Sequence, residues 1–114
     1  MAVVKHQLQL ATEPFEAIVI GKKTIESRLF DEKRQKIAIG DEITFTNREN
    51  TAQTVNVKVT NLLRAETFHD LFIHNIPSKF GGESVAWLDN QIKEFYSEAD
   101  QHENGVVGIE FERK

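Results

Sequence analysis

Along most of this chain apolar and polar residues alternate with a period of two, interrupted by segments whose period is closer to 3.6. From Val4 to Leu10, residues Val4, His6, Leu8 and Leu10 fall on one face and Lys5, Gln7 and Gln9 on the other, as in a half-buried strand. Phe15, Ile18 and Val19 then take helical spacing. Thr12 is predicted to cap this helix, Pro14 sits in its first turn, Glu13 and Glu16 suit the positive end of its dipole, and Gly21 closes it. From Thr24 to Leu29 the period returns to two, setting Ile25, Ser27 and Leu29 against Thr24, Glu26 and Arg28.

A polar stretch from Asp31 to Lys36 leads through Gly40 and Asp41 into a short strand where Ile43 and Phe45 alternate with Glu42, Thr44 and Thr46; Asn47 to Gln53 reads as a polar turn. Thr54 to Thr60 alternates without a break, with Val55, Val57 and Val59 on one face, and is predicted to extend through Leu63. Thr67 to His74 reads as a short helix carrying Phe68, Leu71 and Phe72, stopped by Pro77. After a loop containing Gly81 and Gly82, Ser84 is predicted to cap a second clear helix. Its inward stripe is expected to be Val85, Leu88, Ile92, Phe95 and Tyr96. Asp100 to Gly105 reads as a polar turn, and Val107, Ile109 and Phe111 mark the last strand. Most strands are apolar on one face only, which a small closed or nearly closed barrel with helices over one end satisfies.

Composition narrows the chemistry. The 114 residues make one domain, 1–114, long enough to bury a core without metal or disulfide staples. There is no cysteine, so a thiol nucleophile, a disulfide framework and a zinc knuckle are all excluded. His6, His69, His74 and His102 show no metal-ligand spacing, and no metal or cofactor is expected. No signal-peptide core and no membrane-length apolar run is present, which predicts a cytoplasmic protein. A net charge of -4 argues against a protein that coats nucleic acid through its overall field, so a polyanion would need a local patch.

The densest chemistry lies in Gly21-Lys22-Lys23-Thr24-Ile25-Glu26-Ser27-Arg28, where a helix exit runs into a strand and holds the backbone on both sides. Taken alone, Glu26 and Arg28 could be an ordinary same-face ion pair, with Lys22 and Lys23 favouring a helix C-terminus. Lys33, Arg34 and Lys36 could meet phosphates or form a solvated loop, since Asp31 and Glu32 adjoin them. Trp87, slightly off its helix's main stripe, could stack a base or widen the apolar face. Gly81 and Gly82 could bend a loop over a ligand or serve the turn before Ser84.

The run Gly21-x-Lys23-Thr24-x-Glu26-x-Arg28, then Leu29-x-Asp31-Glu32-Lys33-Arg34 and Gly40-Asp41-x-Ile43-x-Phe45, resembles the ASCH-domain signature. Phe80-Gly81-Gly82-Glu83-Ser84 before a helix ending in Phe95-Tyr96 resembles the second half of such proteins. The resemblance implies an α+β fold, a PUA-like β-barrel of five to six strands with two to three helices, and a cleft at the barrel mouth for RNA or a nucleoside-sized ligand. Lys23, Thr24, Glu26 and Arg28 would line that cleft, with Glu83 near its rim. Some relatives are amidohydrolases that deacylate N4-acetylcytidine with a lysine, a threonine and a glutamate; others cleave RNA, or are domains of transcriptional coactivators. Those three positions match Lys23, Glu26 in place of the threonine, and, approximately, Glu83. Lys23, Glu26 and Glu83 are therefore the expected working groups if the protein is a metal-independent hydrolase. A carboxylate at 26 favours a charged lysine, a pairing better suited to holding a ligand than to deprotonating the amine.

Overall fold

The computed structural model describes residues 2–114; Met1, which the single-domain assignment includes, lies outside the described residues. Five strands, Lys5–Leu10 (β1), Ile25–Leu29 (β2), Glu42–Asn47 (β3), Thr54–Ala65 (β4) and Val106–Arg113 (β5), form one sheet in the order β1-β3-β4-β5-β2. β1 runs parallel to β3 and the other pairs are antiparallel. The sheet curls into a half-barrel. β1 and β2 are its two edges and do not pair with each other, so the barrel is open along a seam between them.

Where the sequence pattern predicts two or three helices, five form: Thr12–Val19 (α1), Glu32–Gln35 (α2), Phe68–Ile73 (α3), Val85–Lys93 (α4) and Glu98–Asn104 (α5), with a 3₁₀ turn at Pro77–Phe80. The two additions arise from capping rather than apolar periodicity. The Asp31 side chain accepts the Arg34 N–H to start α2, and Ser97 and Asp100 form a reciprocal capping box at α5. Thr67 and Ser84 cap α3 and α4 through their side chains. Thr12 does not cap α1: Ala11 holds that position, and the Thr12 hydroxyl instead donates to Asn47 Oδ1 and Glu49 Oε2.

Two apolar clusters fill the molecule. Inside the half-barrel, Leu8, Leu10, Ile43, Phe45, Val55, Val57, Val59, Val107, Ile109 and Phe111 meet Phe15 and Ile18 of α1. On the outer face of β5 and β2, Ile25 and Val106 pack against Phe68, Leu71, Phe72, Phe80 and Leu88 from the helical side. Val106, on the parity opposite to the expected inward set, is buried because helices cover that face as well. A bulge between Val59 and Asn61 shifts the parity of β4, so Leu62 joins the inner cluster while Leu63 and Ala65 join the outer one.

α4 ends at Lys93, three residues before the expected Tyr96. Phe95 accordingly leaves the predicted inward stripe and is 65% exposed. No helix among the described residues is long and apolar enough to cross a membrane.

Candidate functional site at the open seam

The register of β2 on β5 decides which way the loaded strand faces. Glu26 lies opposite Ile109 and Arg28 opposite Val107, both members of the inner cluster. Directly opposed residues share a face of a sheet. The polar parity of β2 therefore points into the half-barrel at its open seam, while Ile25 points outward into the helical cluster.

Glu26 is buried there between two cations. Its Oε1 lies 3.1 Å from Lys23 Nζ, and its Oε2 accepts from Arg28 Nε at 2.6 Å. Lys23 Nζ also donates to the carbonyls of Ile25 at 3.0 Å and Phe80 at 2.9 Å. Three acceptors thus match the three N–H bonds of an ammonium. The lysine ties the start of β2 to the 3₁₀ turn, and Gly81 closes that turn with φ of 84°, lying against the aliphatic stem of Lys23. Arg28 reaches across the seam, where its Nη2 donates to the carbonyl of Gln9 in β1 at 2.8 Å.

Burial pushes the Glu26 carboxyl up, but the charges of Lys23 and Arg28 and their hydrogen bonds outweigh it, so its pKa falls below 4.5. For Arg28, burial acts to lower the pKa, and the Glu26 carboxylate reverses this and holds the guanidinium more firmly protonated. Loss of the shared partner, Glu26, would leave two uncompensated cations in a largely buried site.

Above this ionic floor opens a cleft of about 480 Å³, within the usual range for small-molecule sites. α1 and the end of β1 form one wall. The opposite wall carries the accessible aromatic rings Trp87, Phe95 and Tyr96, while Phe72 and Phe80, which also border it, are buried in the outer cluster. Exposed Ile20 and Phe95 both lie on its lining. Gly82 allows the α4 wall to approach, since a Cβ there would come within 2.5 Å of Leu88 and 3.0 Å of Trp87. Gly81 and Gly82 thus serve both turn geometry and close packing.

The family model for the ASCH domain matches residues 8–114. The chain belongs to the ASCH domain family. Its structure is similar to that of the hypothetical protein PH0355, with a TM-score of 0.86 at 32% identity, covering 97% of this chain and 100% of that one. It is also similar to PF0455 from Pyrococcus furiosus, with a TM-score of 0.71 at 29% identity over 96% of this chain and 97% of the other. ASCH from Zymomonas mobilis shares the fold, with a TM-score of 0.56 at 15% identity, over 93% of this chain and 65% of that one. Among curated proteins none matches. The α+β, PUA-like architecture expected of an ASCH domain is the one observed.

Of the five residues singled out in the sequence, this ASCH domain brings Lys23, Glu26 and Arg28 together and leaves two aside. Thr24 is half-buried and outside the cleft lining; its backbone N–H donates to Lys79 and its carbonyl accepts from Phe111. Glu83 is exposed and also outside the lining, because the chain turns at Gly81 and Gly82 and carries the next side chain into solvent. Gln9, Arg48 and Phe95 line the cleft without having been singled out as site residues. Arg48 follows β3, where its N–H donates to the Leu10 carbonyl at 2.7 Å and brings it beside β1. Nothing local in the sequence marks it. No group of three or more histidine or carboxylate side chains that could hold a metal ion occurs among the described residues.

Proposed function

We propose that the seam cleft binds a single nucleobase, presented by RNA or by a nucleoside-sized ligand. The observation that carries this reading is an ionised carboxylate and a guanidinium held side by side at the floor of a cleft with an aromatic wall. An ionised carboxylate has about four lone-pair sites and a guanidinium five N–H donors. Glu26 has accepted two hydrogen bonds and Arg28 has committed Nε and one Nη2 hydrogen, so both keep capacity for a ligand. Adjacent acceptor and donor groups complement the amine, imino and carbonyl groups along a base edge. The aromatic wall supplies stacking that tolerates any base. The link of the ASCH family to RNA binding supports the same reading.

Binding accounts for the floor better than turnover does. A lysine acting as nucleophile or base must offer a lone pair, whereas Lys23 Nζ is surrounded by acceptors on three sides. A carboxylate with a lowered pKa is a weak base, and Glu83 stands outside the cleft lining. Lys23 acts in this reading as a positioning residue for Glu26.

Trp87 is the only tryptophan and lines the cleft, so its emission reports occupancy. Titration with the four ribonucleosides and with short single-stranded RNA should give a saturable change in that emission. Phe95→Ala, at an exposed position, should weaken binding about fivefold or more while leaving the fold intact. No change in Trp87 emission with any of these ligands would reject the reading. Steady release of acetate from N4-acetylcytidine would instead favour the hydrolase.

A further inference from the structure

A second recess of about 430 Å³ adjoins the cleft and shares Gln9, Arg28 and Arg48 with it. Its charge is different in kind. Carboxylates of Glu13, Glu16 and Glu26 offset the cations in the cleft, whereas the second recess is lined by Arg28, Lys33, Arg34 and Arg48 and by no acidic residue. In a chain of net charge -4 this is a local reversal.

Two of the four cations are already paired, Arg28 with Glu26 and Arg34 with Asp31 at 2.9 Å. Lys33 and Arg48 form no ion pair among the described residues, and both are exposed. Arg34 also keeps a buried Nε–H without an acceptor, so Asp31 satisfies that guanidinium only in part. The support is built rather than loose: the Asp31 cap shapes α2, which carries Lys33 and Arg34, and the Leu10 carbonyl fixes the backbone of Arg48. The Arg28 to Gln9 hydrogen bond joins two residues that line both recesses.

We infer that this basic recess binds backbone phosphate next to the bound base, so that the ligand is a nucleotide within a single strand rather than a free nucleoside. The inference rests on the base-binding reading of the cleft and adds to it a direction. The strand leaves past Arg28 and Arg48 towards Lys33, away from Glu13 and Glu16 on α1. A polyanion is thereby admitted by an acidic protein through one local patch.

The test compares wild type with Lys33→Ala/Arg48→Ala on three probes: cytidine, a short single-stranded RNA, and an abasic oligonucleotide of the same length. Binding is read by Trp87 emission and by anisotropy of labelled strands between 50 and 200 mM salt. Two phosphate contacts on a single strand contribute a slope of about -1.4 in log affinity against log salt, which is about a sevenfold loss of affinity over that range. The double variant should lose that part of the salt dependence for RNA and bind the abasic strand measurably less, and Lys33→Ala alone, at a residue that lines only the second recess, should weaken RNA while leaving cytidine affinity unchanged. Equal RNA affinity and salt slope in variant and wild type, with cytidine still changing Trp87 emission, would overturn the phosphate recess and leave the cleft standing. Abasic binding that depends on Lys33 and Arg48 without any change in Trp87 emission from base-containing ligands would keep the recess and reject the cleft. Failure of all three probes would overturn both.

Discussion

β4 and β2 have the same alternating sequence pattern and opposite fates. In the first half of β4, Val55, Val57 and Val59 are buried in the barrel while Asn56, Lys58 and Thr60 stand in solvent. In β2, Ile25 and Glu26 are adjacent and both buried, at 1% and 6% exposure. The apolar parity of β2 turns outward, where α3, α4 and the 3₁₀ turn cover it, and the polar parity turns inward at the open seam. Alternation therefore marks two chemically different faces of a strand without saying which one meets water. A polar face turned inward must be compensated group by group, and Lys23, Glu26 and Arg28 do this for one another.

The sharpest way to break the comparison is to remove the shared partner. Glu26→Ala leaves two cations in a site closed to most solvent and should lower the free energy of unfolding by about 3–5 kcal/mol, measured by urea denaturation. Gly82→Ala should come next, at about 1–3 kcal/mol, because its Cβ would meet Leu88 and Trp87 and push α4 from the cleft. Lys58→Ala on the solvent face of β4 should change stability by no more than about 0.5 kcal/mol. An equal effect of Glu26→Ala and Lys58→Ala would mean that the two polar faces are alike after all.

Acid sharpens the same contrast. The folded Glu26 carboxyl titrates below its ordinary 4.5, so the unfolded chain takes up the proton first as pH falls. Its contribution to stability is complete above the unfolded pKa and is lost as pH drops through the folded one. Urea midpoints for wild type and Glu26→Gln should therefore differ most at neutral pH and converge below pH 4.5. A difference that stays constant down to strongly acidic conditions would mean that the carboxylate's charge contributes nothing to its site.

Much of this was legible in the sequence, and what was missed has identifiable causes. The five strands follow from period-two runs that the structure reproduces, β4 continuing two residues past Leu63 because the bulge lets both parities find a core. Lys23, Glu26 and Arg28 were legible because a helix exit and a short strand place them by local geometry. α2 and α5 were not, since each is short and polar and stands on a capping side chain rather than an apolar stripe. The parts of the cleft that depend on the seam were also hidden. Gln9, Arg48 and Phe95 come from three separate segments, and only the curl of the sheet, with β1 paired to β3, brings the first two beside Arg28 across the open seam. The direction of Glu83, expected near the rim, was hidden as well, because spacing along a loop does not reveal which way a turn at positive φ sends the next side chain.

A carboxylate and two cations are fixed inside the seam, with Glu26 and Arg28 towards the cleft and Lys23 holding Glu26 in place. Nitrogen-edited NMR of the Arg28 Nε–H and the Lys23 ammonium observes that arrangement directly. Both signals should be protected from exchange with water, and addition of a short single-stranded RNA should shift the Arg28 signal together with Trp87 Nε1–H. Arg28 and Lys23 signals that exchange as fast as those of exposed Lys58 and Arg113, and that do not move with RNA, would contradict it.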